Sequence, residues 1–83
     1  MALNIILYQN VRGLRTKLNN FKQNVSVNYP DVLCVTESWL NSSIMDHEVV
    51  DLNQYSLFRR DRESTNSKKS DGGGVFVAIK IKF

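Results

Sequence analysis

The stretch that decides the fold is LNIILYQNVRGLRTKLNNFKQNVSVNYPDVLCVTE, residues 3–37. Its first part, Leu3 to Tyr8, is a near-continuous apolar run, which predicts a strand that is buried on both faces and stops around Asn10. Its last part, Asp31 to Thr36, is a second apolar run and predicts another buried strand. The sequence therefore begins with two strands and a connection between them.

The connection has the spacing of an amphipathic helix. Thr16 is a candidate N-cap, and Pro30 disfavours helical geometry at Tyr29, so the helix is expected to end there. Its apolar residues recur at spacings of 4, 3 and 4 with polar residues between them: Leu14, Leu18, Phe21 and Val25. Strand, helix and strand make a β-α-β unit that joins parallel strands, so both strands are expected to end on the same edge of the sheet.

The rest of the chain predicts two further strands. Residues Trp39 to Asn53 are expected to be irregular, and Tyr55 to Arg60 is a short strand candidate. The polar segment from Asp61 to Gly74 predicts a mobile loop. In the last segment, alternate residues from Val75 onwards are apolar and are expected to face the core, while the other set, which begins at Phe76 and includes two lysines, is expected to face solvent.

The composition fits one small globular domain. The 83 residues are 42% hydrophobic, 23% charged and 10% aromatic, which is typical of folded chains. Cys34 is the one cysteine, so the sequence contains no disulfide framework and no Cys/His zinc pattern. We expect a nuclear or cytoplasmic protein that is not secreted and does not contact a membrane, because the sequence contains no signal peptide and no apolar run of bilayer length.

Charge is distributed unevenly along the chain, although the net charge is only +3. Residues 12–22 contain four basic side chains and no acidic one, whereas residues 31–51 contain five acidic side chains and no lysine or arginine. Such blocks are compatible with a phosphate-bearing partner beside a metal-attracting patch. They are equally compatible with solvated helix and loop faces.

Two oxygen-bearing side chains follow the first two strands. Asn10 ends the first strand and Glu37 follows the second, and open α/β sheets bind ligands at the carboxyl ends of their strands. A carboxylate and an amide are suitable ligands for Mg²⁺, whose remaining positions water and a substrate phosphate can fill. The structural alternatives are a strand-end Glu37 bonded to a turn and an Asn10 that only shapes one.

Four short segments, taken together and in this order, resemble the endonuclease/exonuclease/phosphatase superfamily in its non-LTR, LINE-like retrotransposon branch. They are Gln9-Asn10-Val11-Arg12-Gly13-Leu14, Thr36-Glu37-Ser38-Trp39-Leu40, Phe58-Arg59-Arg60-Asp61-Arg62 and Gly72-Gly73-Gly74-Val75. The last two favour the retrotransposon branch over phosphatase and DNase relatives. The resemblance covers nearly the whole chain.

The resemblance implies a fold, an activity and a metal. The fold would be part of a four-layer α/β sandwich, with residues 1–83 forming the N-terminal part of a truncated domain. The activity would be phosphodiester hydrolysis that nicks DNA for reverse transcription, with Mg²⁺ or Mn²⁺ as cofactor. Asn10 and Glu37 would be both catalytic residues and metal ligands. The later catalytic Tyr, Asp/Asn and Asp-His motifs cannot be placed here, so we expect the chain to be inactive alone.

The basic cluster Arg59, Arg60 and Arg62 is a candidate DNA-backbone contact, and the alternative is a structural ion pair between Arg60 and Asp61. His47 is expected to be an ordinary surface residue. Trp39 and Phe58 are expected to be core aromatic residues rather than platforms for stacked bases.

The sequence leaves competing functions open. The first is a fragment of a metal-dependent endonuclease, and the second is a small nucleic-acid-binding or interaction module without catalysis. The chain could also be one stretch of a longer reading frame that supplies the later motifs. A half-sandwich leaves one apolar sheet face uncovered, so we also expect self-association or poor solubility.

Overall fold

The structure is a computed structural model that describes residues 5–62 and 73–81. The described part of the chain forms one four-stranded mixed sheet and two helices. In chain order the elements are β1 (Ile6–Asn10), α1 (Leu18–Asn28), β2 (Val32–Thr36), α2 (Asp46–Val49), β3 (Tyr55–Arg60) and β4 (Val75–Lys80). The predicted strand bounds agree with these to within about one residue except at the two chain ends.

The strand order across the sheet is β1-β2-β4-β3. β1 and β2 are parallel, and Asn10 lies opposite Thr36 at their carboxyl ends. β4 is antiparallel to both β2 and β3, so it fills the space between strands that are distant in sequence. The predicted β-α-β unit followed by two strands, and with it the α/β fold class, is confirmed.

The core lies between the sheet and the helices. Phe21 of α1 packs edge-to-face on Phe76 of β4, with ring centroids 5.9 Å apart. Tyr55 is also buried, and its hydroxyl donates a 2.6 Å hydrogen bond to the carbonyl of Pro30. Burial raises the pKa of Tyr55 to about 12, because the phenolate would lose its hydration there. One face of the sheet is thus covered by the helices.

The other face of the sheet is uncovered, and we call it the open face. Its exposed apolar side chains come from β1, β3 and β4 and are 43–68% exposed at Ile6, Tyr8, Phe58, Val75 and Ile79. Cys34 and Val77 lie between them in the strand register and are partly buried. The structure thus has an uncovered apolar sheet face, as expected.

The predicted facing of β4 was wrong. Phe76 and Ala78 are 1% and 0% exposed and face the core, whereas Val75 and Ile79 lie on the open face. The reason is that helix α1 covers the side of the sheet on which Phe76 lies, and alternation alone does not say which side a helix will cover. Phe58, expected in the core, is on the open face for the same reason and is 61% exposed.

Strand β1 is also less buried than predicted. Four of its five residues are exposed, and only Leu7 is partly buried. β1 is an edge strand with one face uncovered, so its apolar run does not indicate burial on both faces. β2, the inner strand beside it, does bury Leu33 and Val35.

Helix α1 ends as predicted and begins later than predicted. Tyr29 adopts a left-handed conformation, with φ +44°, and its N–H bonds to the carbonyl of Val25 before Pro30 ends the helix. The N-cap is Lys17 rather than Thr16, because residues 14–17 form a turn in which the Lys17 N–H bonds to the Leu14 carbonyl at 2.8 Å.

The segment predicted to be irregular, Trp39 to Asn53, contains the one-turn helix α2, where the Met45 N–H donates to the Glu48 carboxylate at 2.7 Å. Most of the predicted mobile loop, residues 63–72, lies outside the described residues. Within the described ranges, neither helix has the length and apolar character needed to cross a bilayer.

Candidate metal and nucleic-acid site

The carboxyl ends of β1 and β2 continue as paired loops. Beyond the last strand residues, the Gly13 N–H donates to the Glu37 carbonyl at 2.8 Å and the Leu14 N–H donates to the Ser38 carbonyl at 2.9 Å. The segment that follows β2 is therefore held against the segment that follows β1. Asn10 and Glu37, which were predicted to meet, lie at the same edge of the sheet, at the ends of the adjacent strands β1 and β2.

The same segment is held from its other side by the residues that precede β4. The Ser38 N–H donates to the Gly74 carbonyl at 3.2 Å, and the Trp39 N–H donates to the Gly73 carbonyl at 3.0 Å. Glu37 and Trp39 adopt left-handed backbone conformations, with φ +55° and +56°. Such conformations cost about 1–3 kcal/mol each in a non-glycine residue, and the bonds on both sides can hold them in place.

The carboxylate of Glu37 is fixed by two donors. Its Oε2 accepts a hydrogen bond of 3.0 Å from the indole Nε1 of Trp39 and one of 3.3 Å from the backbone N–H of Gly73. These bonds, chiefly the one from Trp39, hold the pKa of Glu37 below its ordinary value, and the positive charges of Arg62 and Arg12 act in the same direction. Glu37 is thus ionised under physiological conditions.

Gly13 allows the indole ring to approach the loop that follows β1. Its φ is +97°, and a Cβ atom built at this position would lie 2.5 Å from the ring of Trp39. Any other residue would strain the backbone and displace the ring. Gly13, Trp39, Glu37 and Gly73 therefore form one connected arrangement.

The donor set at this edge suits a hard divalent cation. Glu37 offers a carboxylate, and Asn10, which is exposed at the end of β1, offers an amide oxygen. The described residues contain no group of three or more His, Cys, Asp or Glu side chains that could bind a metal. One or two protein oxygens with several waters are the usual ligands of Mg²⁺, so these two side chains are of the chemical type that Mg²⁺ uses.

The three candidate DNA-binding arginines differ in their surroundings. The guanidinium of Arg59 is largely buried and donates to Asp61 at 2.6 and 3.1 Å, to Asp46 at 3.0 Å, and to the carbonyls of Ile44 and Asn41. The Asp61 bond, foremost, raises the pKa of Arg59. These bonds occupy Arg59, so the expected DNA contact is not supported for this residue, and the ion pair of Asp61 is with Arg59 rather than Arg60.

Arg60 and Arg62 are exposed at the edge that carries Glu37. Arg60 lies opposite Val75, which in turn lies opposite Thr36, so Arg60 ends the row across the sheet that begins at Asn10. Arg12 is exposed at the same edge, beside a shallow cavity of about 210 Å³ lined by Arg12, Gly13, Arg15, Thr16, Lys17 and Trp39. The edge therefore combines the hydrogen-bonded carboxylate of Glu37 with several exposed arginine side chains.

The sequence reasoning missed two members of this arrangement. Trp39 was expected to be an ordinary core aromatic, yet it is half-buried and its N–H bonds to Glu37. Gly73 carried no predicted role, although the glycine run itself signalled a backbone in an unusual conformation. His47 is exposed, as predicted.

Comparison with solved structures gives the fold. An AP endonuclease from Archaeoglobus fulgidus matches 93% of the chain with a TM-score of 0.69 at 19% identity, and an AP endonuclease from Leishmania major matches 93% with a TM-score of 0.66 at 26% identity. The fold is of the endonuclease/exonuclease/phosphatase type. The chain spans about a quarter of these endonucleases, 27% and 24% of their respective lengths. No protein-family model and no curated protein matches the sequence.

Gly13→Ala should destabilise the chain more than Gly73→Ala. Both glycines have positive φ, so either change costs about 1–3 kcal/mol of backbone strain. The added Cβ at position 13 also meets a rigid indole ring, whereas at position 73 it meets the flexible side chain of Arg62. Urea unfolding followed by circular dichroism measures the difference, and equal losses for the two variants would show that the ring does not constrain Gly13.

Proposed function

We propose that this chain is the N-terminal part of a metal-dependent endonuclease domain of the retrotransposon type, and that it does not cleave DNA by itself. The observation that carries the proposal is the ionised Glu37 carboxylate, held by two hydrogen bonds at a sheet edge beside exposed arginines. The likeness to two AP endonuclease structures supports a nuclease fragment. The open apolar face and the quarter-length match support the assignment to part of a larger domain.

Each group at the edge has a chemical task in this proposal. Glu37 and Asn10 hold a Mg²⁺ or Mn²⁺ ion, which supplies Lewis-acid stabilisation of a phosphodiester when it is bound. Arg60 and Arg62 bind phosphates of the DNA backbone without reading its sequence. A compact cation beside accessible guanidinium groups is a suitable environment for the negative charge of a phosphodiester.

Two motifs support the retrotransposon branch, and the structure gives both of them physical roles. The Arg-Arg-Asp segment supplies Arg59, which pairs with Asp61 at the end of β3 and with Asp46 of α2 and so ties the two elements together. Gly73 and Gly74 bond to the loop after β2 and thereby support Glu37. We also propose that the protein is nuclear or cytoplasmic.

We expect the chain to be inactive because the later catalytic motifs of the family cannot be placed in residues 1–83. In the family it resembles, later motifs provide a catalytic Tyr, an Asp/Asn pair and an Asp-His pair. General acid–base catalysis alone contributes roughly 10²- to 10⁴-fold to such reactions, and these motifs contribute more than proton transfer. One carboxylate and one amide can organise a metal without activating a nucleophile.

The folded chain should not nick supercoiled plasmid above the rate of buffer in Mg²⁺, and Glu37→Ala should behave identically. Gel assays on protein whose folding has been checked by circular dichroism measure this. Nicking by the wild type that disappears in Glu37→Ala would overturn the proposed inactivity and show that the partial site suffices for hydrolysis.

DNA binding is expected to be weak, independent of sequence and sensitive to salt. The logarithm of the binding constant falls as log [salt] rises. Replacing Arg60 and Arg62 together by Gln should make this negative slope shallower by about 2, since each phosphate contact contributes about 1. Lys80→Gln is a single-charge control, because it removes one positive charge, which pairs with Asp31 at the opposite end of the strands. Fluorescence anisotropy with a short duplex measures the slope. A binding module without catalysis would show the same slopes and the same absence of nicking, so the two proposals are separated by divalent-metal binding, which only the endonuclease fragment should show and which Glu37→Gln should abolish.

We also propose that the open face mediates self-association. Four strands about 4.8 Å apart and about five residues long cover roughly 300 Å², which is less than half of the ~800 Å² per partner in a standard interface. Apolar side chains dominate this small area, and 61–68% of the surface of Ile6, Tyr8 and Phe58 is exposed. The association should therefore be reversible and weak.

Phe58→Lys should make the chain monomeric at concentrations where the wild type associates, because a charge would be buried in the contact. Val27→Lys is the matched control, since Val27 is 76% exposed but lies on helix α1, away from the open face. Sedimentation velocity over a concentration series measures the state of each protein. A wild type that remains monomeric throughout the series would contradict the proposal.

A further inference from the structure

Trp39 is tied to three separate parts of the site. Its ring lies against Gly13, where a Cβ atom would come within 2.5 Å of it. Its backbone N–H donates to the carbonyl of Gly73 at 3.0 Å, and its indole Nε1 donates to Oε2 of Glu37 at 3.0 Å. The ring and the backbone already anchor the residue, so the indole N–H is an additional and separable contact.

The two donors to Glu37 both use the same carboxylate oxygen. Trp39 Nε1 and the Gly73 N–H bond to Oε2, and no hydrogen bond from the described residues reaches Oε1. Oε2 is therefore engaged in the interior of the arrangement, and Oε1 is the oxygen left for an external ligand. A carboxylate held at one oxygen loses less rotational freedom when its other oxygen binds a cation.

We propose that Trp39 is a positioning residue for the metal site. Its indole N–H fixes Oε2 of Glu37 so that Oε1 is the oxygen that coordinates a divalent cation. This inference rests on the proposed function, which assigns Glu37 to the metal. Trp39 itself contacts neither the cation nor the substrate in this proposal.

A purely structural role for Trp39 would depend on the ring and not on its N–H group. The chain contains one tryptophan, so residue-specific incorporation of β-(3-benzothienyl)alanine changes position 39 alone. This analogue keeps the bicyclic ring and replaces the N–H by sulfur. Trp39→Phe is the genetic counterpart, with a smaller ring and no donor.

The first measurement is Mn²⁺ affinity, obtained from the electron paramagnetic resonance signal of free Mn²⁺ in titrations of the 83-residue chain. The benzothienyl protein and Trp39→Phe should bind Mn²⁺ about 10- to 100-fold more weakly than the wild type, as is typical when the partner of a metal ligand is lost. The benzothienyl protein should keep the wild-type urea midpoint. Mn²⁺, which is paramagnetic, should quench the Trp39 fluorescence of the wild type.

Two controls separate the positioning role from the metal site itself. Tyr8→Phe removes the neighbouring 3.0 Å bond between the Tyr8 and Thr36 hydroxyls and leaves both donors to Glu37 intact, so its Mn²⁺ affinity should equal that of the wild type. Glu37→Gln should lose Mn²⁺ binding. If Glu37→Gln binds Mn²⁺ as well as the wild type does, the proposed metal site fails and the positioning role fails with it. If Glu37→Gln loses the metal but the benzothienyl protein binds normally, only the positioning role is wrong.

Discussion

The backbone hydrogen bonds on both sides of the loop that follows β2 are the constraint on which the rest of the site depends. On one side the N–H groups of Gly13 and Leu14 donate to this loop, and on the other side the loop donates to the carbonyls of Gly73 and Gly74. Three chain segments that are distant in sequence meet only because β2 lies between β1 and β4. With its backbone held from both sides, the loop can place Glu37 and Trp39 in conformations that a free turn would seldom adopt.

Much of this arrangement could be predicted from the sequence because it follows from local patterns. Apolar runs gave the strands, helical spacing gave α1, and the β-α-β rule placed Asn10 and Glu37 at one edge. The side of the sheet that the core occupies could not be predicted in the same way. β4 has apolar residues on both of its faces, so its alternation does not distinguish Phe76 in the core from Val75 on the open face.

Side-chain roles were harder to predict than strand positions, because they depend on contacts between distant segments. Arg59 and Arg60 are adjacent in sequence and identical in chemistry, yet Arg59 faces the helices and is enclosed by Asp46 and Asp61, while Arg60 is exposed on the other side. The two-residue period of a strand separates them, and only the assembled sheet shows which of them meets the carboxylates. The same holds for Trp39, whose partner Glu37 is two residues away but whose neighbour Gly13 is in another loop.

The strand order has a further consequence for the way the chain reaches this fold. Every strand pairing joins segments that are separated by at least 14 residues of sequence. The second edge of β2 stays unpaired until β4 forms, with Phe76 opposite Val35. Non-local pairing of this kind slows folding, since loop closure comes before the contacts that reward it. During synthesis β1 and β2 would emerge well ahead of their antiparallel neighbour, with unpaired backbone groups along one edge of an apolar strand. The chain therefore has an interval in which aggregation competes with folding, even where the finished sheet is stable.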